Sequence, residues 1–236
     1  MWQIETQFSE VIERVPGVKS FRFPRKGLNL RYRAGQYFYV TIVVNSKPLV
    51  HHFSFSSSPA EKNYIEFTKR ITESDYSRTL DNIKPGTWAL IEGPEGKFTL
   101  PNSKRKLAFI CGGIGVTPVK SMLNYVKRKQ RPLDCLLLYS NTNPRSIIFK
   151  EELDELGKEP NITIHHFVSS SSQQLKPEYH NGYINKASIE KLVPDYKERL
   201  FYLSGPPSMV ESIGLQVAQL SVDARSIKMD IFTGYK

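Results

Sequence analysis

The run Cys111-Gly112-Gly113-Ile114-Gly115-Val116-Thr117-Pro118 closes an apolar stretch and places three glycines ahead of a segment with helical spacing. Glycine permits a tight turn and a close approach of backbone to ligand, and the unpaired N–H groups at a helix start favour an anion. This is the pattern of a phosphate cradle, with Gly113 and Gly115 in the turn. Thr117 is expected to cap the helix and Pro118 to open it. Pro118 stands where the third glycine of a G-x-G-x-x-G fingerprint would fall, and no acidic residue ends the following strand to hold a ribose 2′-hydroxyl. Ser140 and Asn141 stand there instead, with Arg145 close behind. Hydroxyl, amide and guanidinium groups can meet a 2′-phosphate, so the pattern admits NADP as well as NAD.

A second glycine turn, Ser204-Gly205-Pro206-Pro207-Ser208-Met209, follows another short apolar run. In a doubly wound sheet ligands sit at the carboxyl ends of the strands, so this turn is expected to face the same crevice as the first. The third stretch is His51-His52-Phe53-Ser54. On a strand it is expected to present an imidazole, an aromatic plate and a hydroxyl to one face, which suits a flat heteroaromatic cofactor. Adjacent histidines on a strand point oppositely and no ligand set stands nearby, so no metal is expected.

Two kinds of texture must position these residues. Up to about residue 100, short apolar or alternating runs at Gln3–Val15, Val18–Phe23, Gln36–Val43, Val50–Ser56, Tyr64–Arg70 and Thr87–Glu92 are separated by turn signals such as Pro16-Gly17 and Lys84-Pro85-Gly86. This predicts an antiparallel β-barrel, interrupted by one helix near Tyr76–Asn82. After Lys106, strand-like and helix-like segments alternate to the end, which predicts a doubly wound parallel sheet with helices on both faces. The expected division is 1–103 for the barrel and 104–236 for the α/β domain, with Ser169–Tyr183 a polar loop inside the latter.

Hydrophobic residues make up 39% and charged residues 24%, an ordinary globular composition with length for two medium domains. The longest apolar stretch, Tyr37–Val44, is far short of the roughly 20 residues that span a bilayer, so no transmembrane segment is expected. Cys111 and Cys135 both sit in apolar runs, where buried reduced thiols are expected, and two thiolates cannot hold a four-cysteine cluster. With no basic, apolar leader at the N-terminus, a cytoplasmic location is expected. The net charge of +10 divides almost evenly between the halves, and basic clusters fall at Arg22/Arg25/Lys26/Arg31/Arg33, Lys104/Arg105/Lys106 and Lys127/Arg128/Lys129/Arg131. They read either as solvated surface or as a dock for an anionic ligand or acidic protein. No nucleic-acid motif accompanies them.

Taken together, these motifs resemble the ferredoxin–NADP reductase superfamily, whose members pair a flavin-binding barrel with a nicotinamide-nucleotide domain. The family's flavin motif is Arg-x-Tyr-Ser/Thr; His51, Phe53 and Ser54 match it here and look like the His-Pro-Phe-Thr of the ferric-reductase and NADPH-oxidase branch. The resemblance implies FAD as cofactor, with Phe53 stacked on the ring system, Ser54 near its N5, His51 by the pyrophosphate, and His52 among the cofactor-binding residues. Lys69 and Arg70 would supply the lost positive charge, and Tyr76-Ser77 resembles a second pyrophosphate contact. Phe67, on the same strand as Lys69, is expected beside the flavin. Gly113, Gly115, Thr117 and Pro118, with Gly205, Pro206 and Met209, resemble the loops that hold NADP or NAD. Ser204 replaces the family's usual cysteine beside the nicotinamide, and Asp230, Phe232 and Tyr235 resemble a C-terminal flavin cover. Ser54, Ser204 and Asp230 are thus the expected catalytic residues. The implied activity is a flavin-dependent NAD(P)H reductase passing electrons to a separate acceptor, such as an acidic electron-carrier protein. The alternative is a flavin electron-transfer subunit or redox sensor that works only inside a larger complex.

Overall fold

The computed structural model describes residues 1–103, 105–170 and 175–233. The N-terminal half forms two antiparallel sheets. Strands β1 (Trp2–Gln7), β7 (Trp88–Glu95), β4 (Tyr37–Val44) and β5 (Lys47–Ser54) make the first, in that order; β2 (Glu10–Val15), β3 (Val18–Pro24) and β6 (Tyr64–Arg70) make the second. The run Gln3–Val15, expected as one strand, breaks after Gln7, and β1 and β2 join different sheets. In β4 the alternation is clean. Phe38, Val40, Ile42 and Val44 point inward while Tyr37, Tyr39 and Thr41 are half-buried on the outside, as a period of two requires. The inward rows meet in one aromatic core containing Phe8, Phe21, Phe23, Phe38, Phe55 and Phe67.

This barrel does not close. β5 and β6 are the edges of their sheets, and the two sheets touch there through an isolated bridge between Phe55 and Phe67. The backbone edge of β5 is therefore left open to a ligand, beside helix α1 (Asp75–Asp81).

The second half is a six-stranded parallel sheet in the order β11 (Tyr179–Asn181), β10 (Ile162–Val168), β9 (Leu133–Asn141), β8 (Arg105–Gly112), β12 (Arg199–Gly205) and β13 (Ile227–Ile231). The predicted α/β architecture is observed. Leu107, Phe109 and Cys111 of β8 pack under α2 (Val116–Arg128) and α3 (Lys150–Leu156), while Ala108 and Ile110 pack under α4 (Lys186–Leu192) and α5 (Pro207–Ala218). Strand β11 lies within the stretch expected to be a polar loop; three edge residues carry too short a pattern to read. Cys111 and Cys135 are buried and unpaired, and burial pushes the Cys135 thiol up to about 12.

Candidate active site

The strand order runs outward from β8 through β9 to β11 on one side and through β12 to β13 on the other, so its reversal falls where neighbours β8 and β12 end. Gly112 ends β8 and Gly205 ends β12. The two glycine turns thus meet at the switch point of the sheet, where such folds bind ligands. Gly113 has a φ of +51°, a left-handed conformation that disfavours a side chain. At Gly115 the reason is space: a Cβ would sit 2.3 Å from the carbonyl oxygen of Ser204. One turn packs against the other.

A cavity of about 560 Å³ opens from these turns. Gly112, Gly113, Pro206 and Met209 form one end, and Ser140, Asn141, Thr142 and Ser146 form the other, with Arg70 reaching in from the barrel. Among the described residues no carboxylate lines it. Asn141 Nδ2 and Ser204 Oγ are buried without a hydrogen-bond partner. Asn141 lines the cavity, and such orphaned groups in native folds call for a missing partner.

A second cavity, about 410 Å³, lies in the gap between β5 and β6. His51, His52, Phe53 and Ser54 form one wall, Thr68 and Lys69 the other, and Thr72, Ser74 and Tyr76 one end; Thr117, Asp230 and Phe232 come from the second domain. The ring of Phe53 faces it, lying 4.4 Å from Phe67 and nearly parallel at 20°. His51 stands 4.3 Å from the ring of Tyr76. Burial, then Lys69 and His52, lower its pKa, so it is a neutral polar contact at pH 7. Burial likewise lowers the pKa of Lys69, whose ammonium donates to the Arg70 carbonyl at 3.1 Å. Burial raises the Asp230 carboxyl to about 6. A larger hollow of about 680 Å³, between α1 and the ends of β4 and β7, is lined by Arg78, Ile83 and Trp88 and by none of the expected site residues.

Several expectations need correction. Ser54 does not share a face with His51 and Phe53: successive residues alternate, so Ser54 and His52 lie on the side of Tyr37 and Tyr39. The four still line one cavity because β5 is an edge strand, approached along its rim. Phe67 has no exposed surface and supports Phe53 from below, so it cannot touch a bound ring system. Ser77 is fully buried, and its hydroxyl accepts the Thr72 N–H at 2.8 Å; Thr72 and Ser74 face the cavity in its place. Tyr76 borders the cavity, but its hydroxyl donates to the Val40 carbonyl at 2.8 Å. Thr117 does not cap: α2 begins at Val116 with Gly115 as N-cap, and Thr117 in the first turn lines the β5–β6 cavity. Pro118 is buried in that turn, where its missing N–H costs nothing. Ser204 is wholly buried behind Gly115. Arg145 is exposed and outside the cavity lining; its neighbour Ser146 takes the place. Arg70 serves the glycine-turn cavity rather than the one beside Lys69. Tyr235 lies outside the described residues. Thr142 lines the glycine-turn cavity beside Ser140 and Asn141, and Thr68 and Ser169 also line the two cavities, where isolated hydroxyls carry no sequence pattern.

The open barrel edge with an aromatic plate fits a flavin, and the carboxylate-free glycine crevice fits a nicotinamide dinucleotide. Residues 9–100 match the oxidoreductase FAD-binding domain and residues 109–214 the oxidoreductase NAD-binding domain. The chain thus joins an oxidoreductase FAD-binding domain to an oxidoreductase NAD-binding domain, and it has the fold of the ferredoxin–NADP reductases. It is 27% identical over 220 residues to the plasma membrane-associated coenzyme Q6 reductase of Saccharomyces cerevisiae, covering 92% of this chain and 70% of that protein. It is 26% identical to the glycine betaine monooxygenase reductase subunit of Pseudomonas aeruginosa, covering 86% of this chain and 57% of that one. The FAD/NAD-binding domain of the nitric oxide dioxygenase of Vibrio cholerae has the same fold, with a TM-score of 0.86 at 20% identity over 97% of this chain and 98% of that one.

Proposed function

We propose that residues 1–103 bind FAD, that residues 104–236 bind NAD(P)H, and that the chain moves a hydride from the nicotinamide to the flavin and passes the electrons to a separate acceptor. The observation that carries this reading is a shared wall. Lys69 and Arg70 are consecutive, yet one lines the β5–β6 cavity and the other the glycine-turn cavity; Thr117 and Gly113 divide in the same way. Ligands in the two cavities would be neighbours.

Bound flavin supplies a hydride acceptor that can release its electrons singly. The chain's part is alignment. Phe53 gives the ring a plate, the edge of β5 with Ser54 offers polar groups along its rim, and Gly113 with Pro206 and Met209 holds the nicotinamide end. Arg70, Ser140, Asn141 and Ser146 recognise the phosphorylated ribose side, where the lack of a carboxylate admits a 2′-phosphate.

The acceptor reading rests on relatives that are named as reductase subunits. For an acidic carrier the support is the net charge of +10. The expected basic clusters contribute less than their composition suggests. Arg22 pairs with Glu10 and Glu66, Lys106 with Asp195 and Glu198, Lys127 with Glu159 and Arg128 with Glu61; Lys104 lies outside the described residues. Among the described residues no helix is long and apolar enough to cross a membrane. A cytoplasmic site of action is supported by the two buried, unpaired thiols.

Purified protein should carry flavin absorbance that anaerobic NADPH or NADH bleaches; colourless protein whose added FAD is not bleached by either would overturn the reading. Steady turnover with ferricyanide is expected of a self-sufficient reductase. Bleaching without turnover would favour the subunit reading, in line with relatives that are named as reductase subunits.

A further inference from the structure

Glu66 has no exposed surface, yet its carboxylate holds three cations. Oε2 accepts from Arg14 at 2.9 Å and from Arg22 at 2.8 Å, and Oε1 accepts from Ser56 at 2.8 Å and from Lys120 at 3.1 Å. Arg14 and Lys120 both continue to Glu152, each at 3.0 Å. Four charges of alternating sign thus close a ring, Glu66–Arg14–Glu152–Lys120. The Phe149 ring lies against both cations, 4.2 Å from the Lys120 ammonium and 5.0 Å from the Arg14 guanidinium.

The ring joins the two domains. Arg14 and Glu66 belong to β2 and β6 of the barrel, Lys120 and Glu152 to α2 and α3. Its members are also tied to both cavities. Glu66, Phe67 and Thr68 are consecutive on β6: Phe67 lies under the Phe53 plate, and Thr68 lines the β5–β6 cavity and bonds Ser56 at 2.9 Å. Lys120 is the fifth residue of α2, whose N-cap, Gly115, belongs to the glycine turn. The helix carries a movement at Lys120 to the turn. Each oxygen of Glu66 already has two donors, so a buried ammonium can sit in one place only.

We propose that Lys120, through Glu66 and Glu152, is a positioning residue that sets the distance between the nicotinamide-holding turn and the flavin plate. The inference rests on the hydride-transfer reading above. Lys120→Met keeps most of the packing volume and removes the donor; Glu152→Gln opens the ring from its half-exposed corner and leaves Glu66 paired, so it retains the fold if Lys120→Met does not. Both are compared with the wild-type holoprotein by anaerobic stopped flow at saturating NAD(P)H, followed by reoxidation with ferricyanide.

Flavin content and the ferricyanide phase are expected to stay within about twofold, because the plate that holds the ring, Phe53 on its Phe67 support, belongs to the barrel and not to α2. Bleaching should slow about tenfold or more in Lys120→Met and several-fold in Glu152→Gln, as small misplacements of reacting groups do. Lys120→Arg, which restores a donor, should recover part of the rate. If the wild type bleaches and both variants bleach as fast, with lowered melting temperature alone, the ring is only glue and the inference fails. A wild type that neither nucleotide bleaches overturns the hydride-transfer reading and this inference with it.

Discussion

Phe67 lies beneath Phe53 as one ring in a column: their centroids are 4.4 Å apart at 20°, and Phe21 follows below Phe67 at 5.0 Å and 18°. Only Phe53 reaches the cavity; Phe67 and Phe21 are fully buried. The plate proposed for the flavin is therefore a surface outcrop of the barrel core, and its tilt is fixed by core packing.

Phe67→Leu should consequently weaken flavin binding from a position that never touches it. A cavity beside Phe53 costs the fold about 1–3 kcal/mol and frees the ring to tilt. Flavin affinity is expected to fall about tenfold, less than in Phe53→Ala, where the stacking surface itself is gone. Fluorescence titration of apoprotein with FAD measures both. Unchanged affinity in Phe67→Leu would show that the column does not set the plate.

Gly115→Ala tests the contact between the two glycine turns. The added methyl would lie 2.3 Å from the Ser204 oxygen and 2.6 Å from Gly205 Cα, both backbone atoms that cannot swing aside. The turns must part. NAD(P)H binding is expected to weaken at least tenfold while FAD content is retained, measured by nucleotide titration of the holoprotein. Equal affinity would mean that the crevice tolerates wider turns.

Some of this site was legible in the sequence and some was not, for physical reasons. Glycine turns announce themselves because their conformational demand is local, whereas Phe53 is marked by the family motif alone, since a ring between polar residues is as readily core, as Phe55 between Ser54 and Ser56 is. Phe67 could not be sorted from Phe53 by pattern: both are aromatic residues on barrel strands, and only the unclosed gap between β5 and β6 decides which one faces a ligand. Arg145 looked better than Ser146, yet Asn143 caps the intervening turn through the Ser146 N–H at 3.1 Å and leaves the arginine in solvent. Arg70 reaches the nucleotide cavity across a domain boundary, a relationship no local spacing encodes. The basic clusters misled for the opposite reason. Composition counts charges, whereas only folding pairs Arg22 with Glu66 or Arg128 with Glu61.

Glu66 should make stability fall in acid. Burial alone would raise its pKa, but Lys120, Arg14 and the hydrogen bonds from Arg22 and Ser56 outweigh it and hold the carboxyl at about 2 against an ordinary 4.5. A depressed carboxyl stabilises the fold fully above its unfolded value, and that contribution is lost as pH falls from about 4.5 to about 2. Its size is on the order of 3 kcal/mol. Glu66→Gln is expected to destabilise strongly at pH 7, since three cations lose their common partner, and to show a flatter stability profile between pH 5 and 3. Urea unfolding across that range checks it, and parallel profiles for variant and wild type would overturn it.

Asp230 carries the opposite sign. Burial raises its carboxyl to about 6 from 3.8, so the folded state prefers it protonated. Relative to an exposed carboxyl, the favourable contribution is present below 3.8 and is lost as pH rises through about 6, above which the chain holds a half-buried charge at a cost. Asp230→Asn should therefore raise the melting temperature at pH 7.5 and leave it nearly unchanged at pH 4. The same group borders the cavity proposed for the flavin, so on that reading its ionisation places a negative charge beside the hydride acceptor. The flavin midpoint potential of the wild type should accordingly drop below that of the variant as pH passes through 6, with the two converging in acid, and spectroelectrochemical titration from pH 5 to 8 reads the difference. A constant offset between wild type and variant across that range would show that Asp230 does not titrate beside the flavin.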